Sequence, residues 1–206
     1  MTIISEAVTK RARCNRCLKA SSACICKTIQ SISNIYHLHI LQDPSEEKKA
    51  LGTARILKLS LTNVQLTVGE KFNEQDFDLN NSYLLFPGDD ALDAQSLAKS
   101  EVLNPNSQFV LLDGSWKKAY KLLMSNPFLQ NLPKVSILAD EKSNYRIRKS
   151  PRADGFSTVE AGYYLLSQLE ENTEKFEPLL KSFEFMIDYQ IAQMPAGIYQ
   201  KNYLQK

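Results

Sequence analysis

The chain has 206 residues, 43% hydrophobic and 23% charged, with a net charge of +2. That is enough apolar mass for a packed core and too much for a chain disordered along most of its length. Its clean apolar runs, such as Tyr83–Phe86 and Phe109–Leu112, fall far short of the roughly twenty residues of a membrane helix, and no signal-peptide core opens the chain, so a cytoplasmic protein with no membrane contact is expected; no obligate protein partner is evident in the sequence.

All four cysteines lie near the start, as Cys14-x2-Cys17-x6-Cys24-x-Cys26. The segment is too short for an apolar core of its own, so residues 1–30 are read as a small Cys-rich module that a metal must staple. Residues 31–206 are read as the main domain. There, Tyr36–Leu41 reads as a strand, with His37 and His39 on one face as strand residues rather than catalysts. Thr53–Leu61 reads as a helix capped by Thr53. Val64–Val68 and Tyr83–Phe86 read as strands, the second ending at Pro87-Gly88. Ala91–Lys99 reads as a helix, and Phe109–Leu112 as a buried strand ending at Asp113-Gly114. Ser115–Met124 is amphipathic, with Trp116, Ala119, Tyr120 and Leu123 on one face. Lys134–Leu138 reads as a strand, Thr158–Leu169 as a helix, and Pro178–Gln193 as a last helix stopped by Pro195. Short apolar strands alternating with helices predict an α/β fold with a mostly parallel sheet flanked by helices.

The seven glycines are at 52, 69, 88, 114, 155, 162 and 197. None are close enough for a GxGxxG or GxxxxGK phosphate cradle. With only His37 and His39 present, HExxH chemistry is excluded as well. Charge is unevenly distributed. Residues 7–42 hold Lys10, Arg11, Arg13, Arg16, Lys19 and Lys27 without an acid, and residues 142–152 hold Lys142, Arg146, Arg148, Lys149 and Arg152 without an acid. Residues 70–93 hold seven acids against Lys71. Two basic blocks on a near-neutral chain suggest a polyanion meeting one face; two solvated segments are the alternative.

Four soft ligands with a Cys-x2-Cys pair suit tetrahedral, structural zinc at Cys14, Cys17, Cys24 and Cys26, with an iron–sulfur or redox role as the alternative. Zinc on four thiolates lowers the local charge from +6 to about +4. In a parallel sheet, ligands sit beyond the carboxyl ends of the strands. Three segments fall there: Phe86-Pro87-Gly88-Asp89-Asp90, Asp113-Gly114-Ser115-Trp116, and Tyr145 to Ser157. Asp113 either presents a carboxylate to a ligand or caps the following helix. Arg146 and Arg148 fall on one side of an extended segment and suit a carboxylate or a phosphate. Ser157 and Glu160 have the spacing of a capping box.

In order along the chain, these segments resemble the DTW-domain family of tRNA-uridine aminocarboxypropyltransferases. The resemblance rests on the four-Cys cluster, Asp43-Pro44-x-Glu46, Thr53-Ala54-Arg55, Leu85–Gly88, Leu112–Ala119, Tyr145–Arg148, Ser157–Ala161 and Phe185–Asp188. Ser115 stands where the family has threonine, and Asp43 where many members have histidine. The resemblance implies a SPOUT-like fold with a C-terminal trefoil knot. It implies S-adenosylmethionine as donor of a 3-amino-3-carboxypropyl group, N3 of a tRNA uridine as acceptor, and methylthioadenosine as leaving product. It further implies Asp113 as the base, or as the group that positions the donor. Phe86, Pro87, Gly88, Asp113, Gly114, Ser115, Trp116, Ser157 and Thr158 would line the donor pocket. Arg146 and Arg148 would hold the donor's carboxylate or an RNA phosphate, and Arg11, Arg13, Arg16 and Lys19 would grip RNA. An rRNA acceptor, a methyl transfer, or a non-catalytic zinc-containing RNA-binding module are the alternatives.

Overall fold

The computed structural model of the chain describes residues 12–138 and 155–204. In chain order the framework is β1 (His37–Gln42), α1 (Ala54–Ser60), β2 (Val64–Val68), β3 (Ser82–Leu85), β4 (Leu92–Asp93) and α2 (Ala94–Ala98). It continues with β5 (Gln108–Asp113), α3 (Trp116–Ser125), α4 (Pro127–Gln130), β6 (Lys134–Ser136), α5 (Thr158–Leu169) and α6 (Thr173–Ala192). The strands form one sheet in the order β2-β1-β5-β3-β6-β4, and every pairing is parallel. The α/β expectation holds. Among the described residues no helix is long and apolar enough to cross a membrane.

Alternation along the strands sorts side chains to two faces. Leu38 and Ile40 of β1 with Phe109 and Leu111 of β5 face one core, shared with α1, α2, α5 and α6. Leu41 and Val110 face the other, closed by Phe77, Leu123, Phe128 and Leu129. The first core also takes in Cys17, Ile25 and Ile32, so the cysteine segment packs into the body of the protein. Ser182 of α6 donates to the Thr28 carbonyl at 2.8 Å, and the Lys27 ammonium lies 4.6 Å over the Phe185 ring.

Several elements differ from the sequence reading for local reasons. Helix α2 begins at Ala94 because the Asp93 carboxylate caps it, accepting from Ser96 N at 2.8 Å. Leu92 and Asp93 then pair with β6 as an edge strand. Helix α6 begins at Thr173, capped by Asn172, and carries Pro178 inside it. The carbonyl that Pro178 leaves without a helical donor belongs to exposed Glu174, where water can serve it. Helix α3 buries Ala119, Leu122 and Leu123, and Tyr120 faces out rather than inward, 57% exposed.

His39 is buried, stacked on Phe77 with ring centroids 4.9 Å apart, and bonded through Nε2 to Thr67 Oγ1 at 2.9 Å. Burial pulls its imidazole down from 6.5 to about 4. The folded chain therefore keeps His39 neutral, while the unfolded chain takes up a proton as pH falls below 6.5. Stability is full above pH 6.5 and declines toward pH 4, by on the order of 3 kcal/mol from this group when complete. Urea midpoints at pH 7 and pH 5 check this: the drop should shrink in His39→Leu, and an equal drop in both would exclude His39 as its source.

Candidate active site and metal centre

The register of β1 on β5 sets Gln42 beside Asp113 at the carboxyl ends of the two central strands. Asp113 is 6% exposed. Its Oδ2 accepts from Gln42 Nε2 at 2.7 Å, and its Oδ1 accepts from the Thr158 hydroxyl at the start of α5. An amide nitrogen can only donate, so Gln42 fixes Oδ2 as an acceptor. Gln42 is itself buried, and its Oε1 finds no hydrogen-bond donor among the described residues. A buried orphan acceptor is costly and calls for an explanation.

The loops around Asp113 are tied to one another. Lys118 of α3 donates to Glu46 Oε1 at 2.7 Å and to the Ser45 hydroxyl. Ser45 in turn donates to Asp43, and that bond, first of several causes, holds the Asp43 carboxyl below its usual range. Asp43 N donates to the Asp113 carbonyl at 3.1 Å. The Asp43-Pro44-x-Glu46 segment thus clamps the loop after β1 onto the first turns of α3. Thr53 does not cap α1 with its side chain. Its Oγ1 accepts from Val159 N at 3.3 Å instead, serving an amide that the first turn of α5 leaves without a helical partner. Ser157 and Glu160 form the expected capping box.

Beside these strand ends lies a cavity of about 180 Å³. Its walls include Leu85, Phe86 and Pro87 after β3, Gly114 and Trp116 after β5, Ile137 after β6, and Phe156, Thr158 and Ala161 around the start of α5. Gly114 allows the tight entry to α3, since a Cβ there would stand 2.9 Å from Lys118 Cβ. The N-termini of α3 and α5 both border the cavity, which favours an anionic group there.

The structure therefore gathers Phe86, Pro87, Gly114, Trp116 and Thr158 at one cavity, with Gly88 on an adjoining groove. It does not put every expected residue on the wall. Ser157 is buried with its hydroxyl committed to Glu160, and Phe156 and Thr158 on either side of it form the surface. Ser115 is exposed, and neither Ser115 nor Asp113 is among the lining residues; Asp113 lies buried between the lining residues Leu112 and Gly114, bonded to Thr158 on the wall. Arg11, Arg146 and Arg148 lie outside the described residues. Gln42 and Phe156 carried no sequence signal, the first being a polar residue inside a strand and the second an aromatic beside a basic loop.

At the N-terminal segment, the four cysteine sulfurs lie within 4.8 Å of one another. Cys14 Sγ and Cys26 Sγ are 3.6 Å apart, and Cys17 Sγ and Cys24 Sγ 3.7 Å. A tetrahedron with Zn–S bonds of about 2.3 Å has S···S edges of about 3.8 Å, so the geometry fits a tetrathiolate metal site and not disulfides. Backbone N–H groups of Cys17 and Arg16 hold the Cys14 thiol down to about 6, whereas burial and the neighbouring sulfurs push Cys26 up to about 12. Four thiolates this close repel one another until a cation joins them. Arg13 and Arg16 are exposed on this segment. Lys19 is not: its ammonium is buried and donates to the carbonyls of Ala50 at 2.7 Å and Gly52 at 3.1 Å. The expected phosphate contact is instead a tie between the cysteine segment and the loop before α1.

Comparison with known proteins adds a family to this geometry. The sequence profile of the DTW domain matches residues 11–191. The chain is similar to tRNA-uridine aminocarboxypropyltransferase 2 of Macaca fascicularis, 27% identical over 197 residues covering 90% of this chain and 66% of that protein. It is 28% identical to the protein of that name in Mus musculus, covering 97% of this chain and 70% of that one. The Drosophila melanogaster protein is 28% identical, covering 99% of this chain and 85% of its own length. No solved structure matches it. The profile match runs from the edge of the four-cysteine segment through Asp113 and into the last turn of α6, and the chain belongs to the DTW domain family.

Proposed function

We propose that the protein is a tRNA-modifying transferase that moves the 3-amino-3-carboxypropyl group of S-adenosylmethionine to N3 of a tRNA uridine. The observation that carries this reading is Asp113, held at the end of the central strand β5 beside a cavity with aromatic walls. The names of the related proteins support the acceptor and the group transferred.

The residues fit the donor. Phe86, Trp116 and Phe156 offer apolar faces to adenine and π-faces to a sulfonium. The orphan Oε1 of Gln42 suits an ammonium, which can only donate. The helix N-termini of α3 and α5 suit its carboxylate, together with Arg146 or Arg148. In the transfer, Asp113 takes the proton from N3. The N3 lone pair forms a bond to the side-chain carbon of the donor, the C–S bond breaks, and its electron pair neutralises the sulfonium as methylthioadenosine leaves. Gln42 and Thr158 keep the carboxylate oriented for that proton. The SPOUT-like fold with its knot, zinc at the four cysteines, and phosphate contacts through Arg11, Arg13 and Arg16 belong to the same proposal. The parallel sheet and the sulfur geometry support the first two.

The test is incubation of the purified protein with S-adenosylmethionine and unmodified tRNA transcript, with products read by mass spectrometry. Methylthioadenosine together with an aminocarboxypropylated uridine is expected. S-adenosylhomocysteine with a methylated base would overturn the reading, as would reaction with rRNA alone.

A further inference from the structure

A shallow groove lined by Phe86, Pro87, Gly88, Asp89, Trp116 and Tyr120 adjoins the cavity. The two share Phe86, Pro87 and Trp116, so a ligand in the groove touches the wall of the cavity. Phe86 and Trp116 meet edge to face with ring centroids 6.1 Å apart. Tyr120 lies one helical turn beyond Trp116 and presents its ring to solvent, 57% exposed.

Charge divides the groove from its rim. Asp89 lies inside it and disfavours a phosphate there. Lys117 and Lys121 flank Tyr120 on the exposed side of α3. Lys121 is paired only across the surface, with Glu70 at 2.9 Å, both side chains more than half exposed; such a pair is weak and readily exchanged. A neutral aromatic ring inside and a phosphate at the rim is the pattern by which proteins hold one unstacked nucleotide.

We infer that this groove is the acceptor subsite. An unstacked pyrimidine lies on the ring of Tyr120 with its N3 edge toward the cavity, and Lys117 and Lys121 meet the flanking phosphates. The assignment rests on the transferase reading above and adds to it the place of the base and the residue that stacks on it. Tyr120 is a substrate-binding residue, separate from the carboxylate that takes the proton.

Trp116 is the only tryptophan of the chain and lies on both the groove and the cavity, so its emission reports occupancy of either. The experiment titrates the full chain separately with S-adenosylmethionine and with unmodified tRNA transcript, for wild type, Tyr120→Ala and Tyr120→Phe, and measures group transfer for each. Tyr120→Ala should weaken tRNA binding and raise the KM for tRNA by about tenfold or more, with donor affinity unchanged. Tyr120→Phe, which keeps the ring, should restore both. An exposed side chain is a safe place to truncate, so folding is not at issue. If wild type transfers the group and Tyr120→Ala does so with the same KM for tRNA, the groove assignment falls and the transferase reading stands. Loss of donor and tRNA binding together in Tyr120→Ala also overturns the assignment. If wild type binds neither, both fall.

Discussion

Replacing Asp113 with asparagine is expected to lower kcat for group transfer by about 10²–10⁴-fold, the range contributed by a positioned base. The fold should survive. The partners can adjust to an amide: Gln42 Nε2 still donates to the amide oxygen, and Thr158 turns its hydroxyl to accept from the amide nitrogen, which leaves Gln42 Oε1 as it was. Donor affinity measured by calorimetry should change little, because the aromatic walls and helix N-termini remain. A loss confined to kcat marks Asp113 as the proton acceptor. A loss confined to the KM for S-adenosylmethionine would make it a donor-positioning residue instead and overturn the base assignment. Gln42→Leu removes both the bond to Oδ2 and the Oε1 proposed to meet the donor's ammonium, so a smaller kcat loss together with a higher KM for S-adenosylmethionine is expected there.

Cys17→Ser is expected to give the largest loss of stability. Cys17 is 2% exposed and packs in the main core as well as facing the other three sulfurs. Weakening a tetrathiolate site removes binding energy that is also folding energy. Each kcal/mol shifts the Tm of a chain this long by roughly 2–4 °C, so a loss of several kcal/mol should lower Tm by roughly 10 °C or more. Metal content by mass spectrometry and Tm by calorimetry should fall together, and a chelator should bring wild type toward the mutant. A variant without metal that melts like wild type would exclude a structural metal at this site.

The four-cysteine cluster was legible because all four thiols fall within thirteen residues, close enough for one short segment to fold them together, Cys14 onto Cys26 and Cys17 onto Cys24. The exact bounds of β2 and α5 were legible for the same kind of reason: apolar period and a capping box act within a few residues. Tyr120 was not. Apolar residues at 116, 119, 120 and 123 and at 119, 122 and 123 describe overlapping stripes on one short helix, and only the position of the sheet beneath α3 selects the second. Lys19 reads as one more cation in a basic run, until the loop carrying Ala50 and Gly52 meets it from more than thirty residues away.

Periodicity and spacing in the sequence by themselves determined the alternation of strands and helices, the parallel sheet, the cysteine cluster, and Asp113 as a carboxylate at a strand end. The tertiary structure decided the strand order, the Gln42–Asp113–Thr158 arrangement, the cavity walls drawn from three strand ends and the start of α5, and which cations face solvent. The division follows from range. Backbone preference and side-chain period operate over a few residues, whereas a site is assembled by register and packing between segments far apart in the chain.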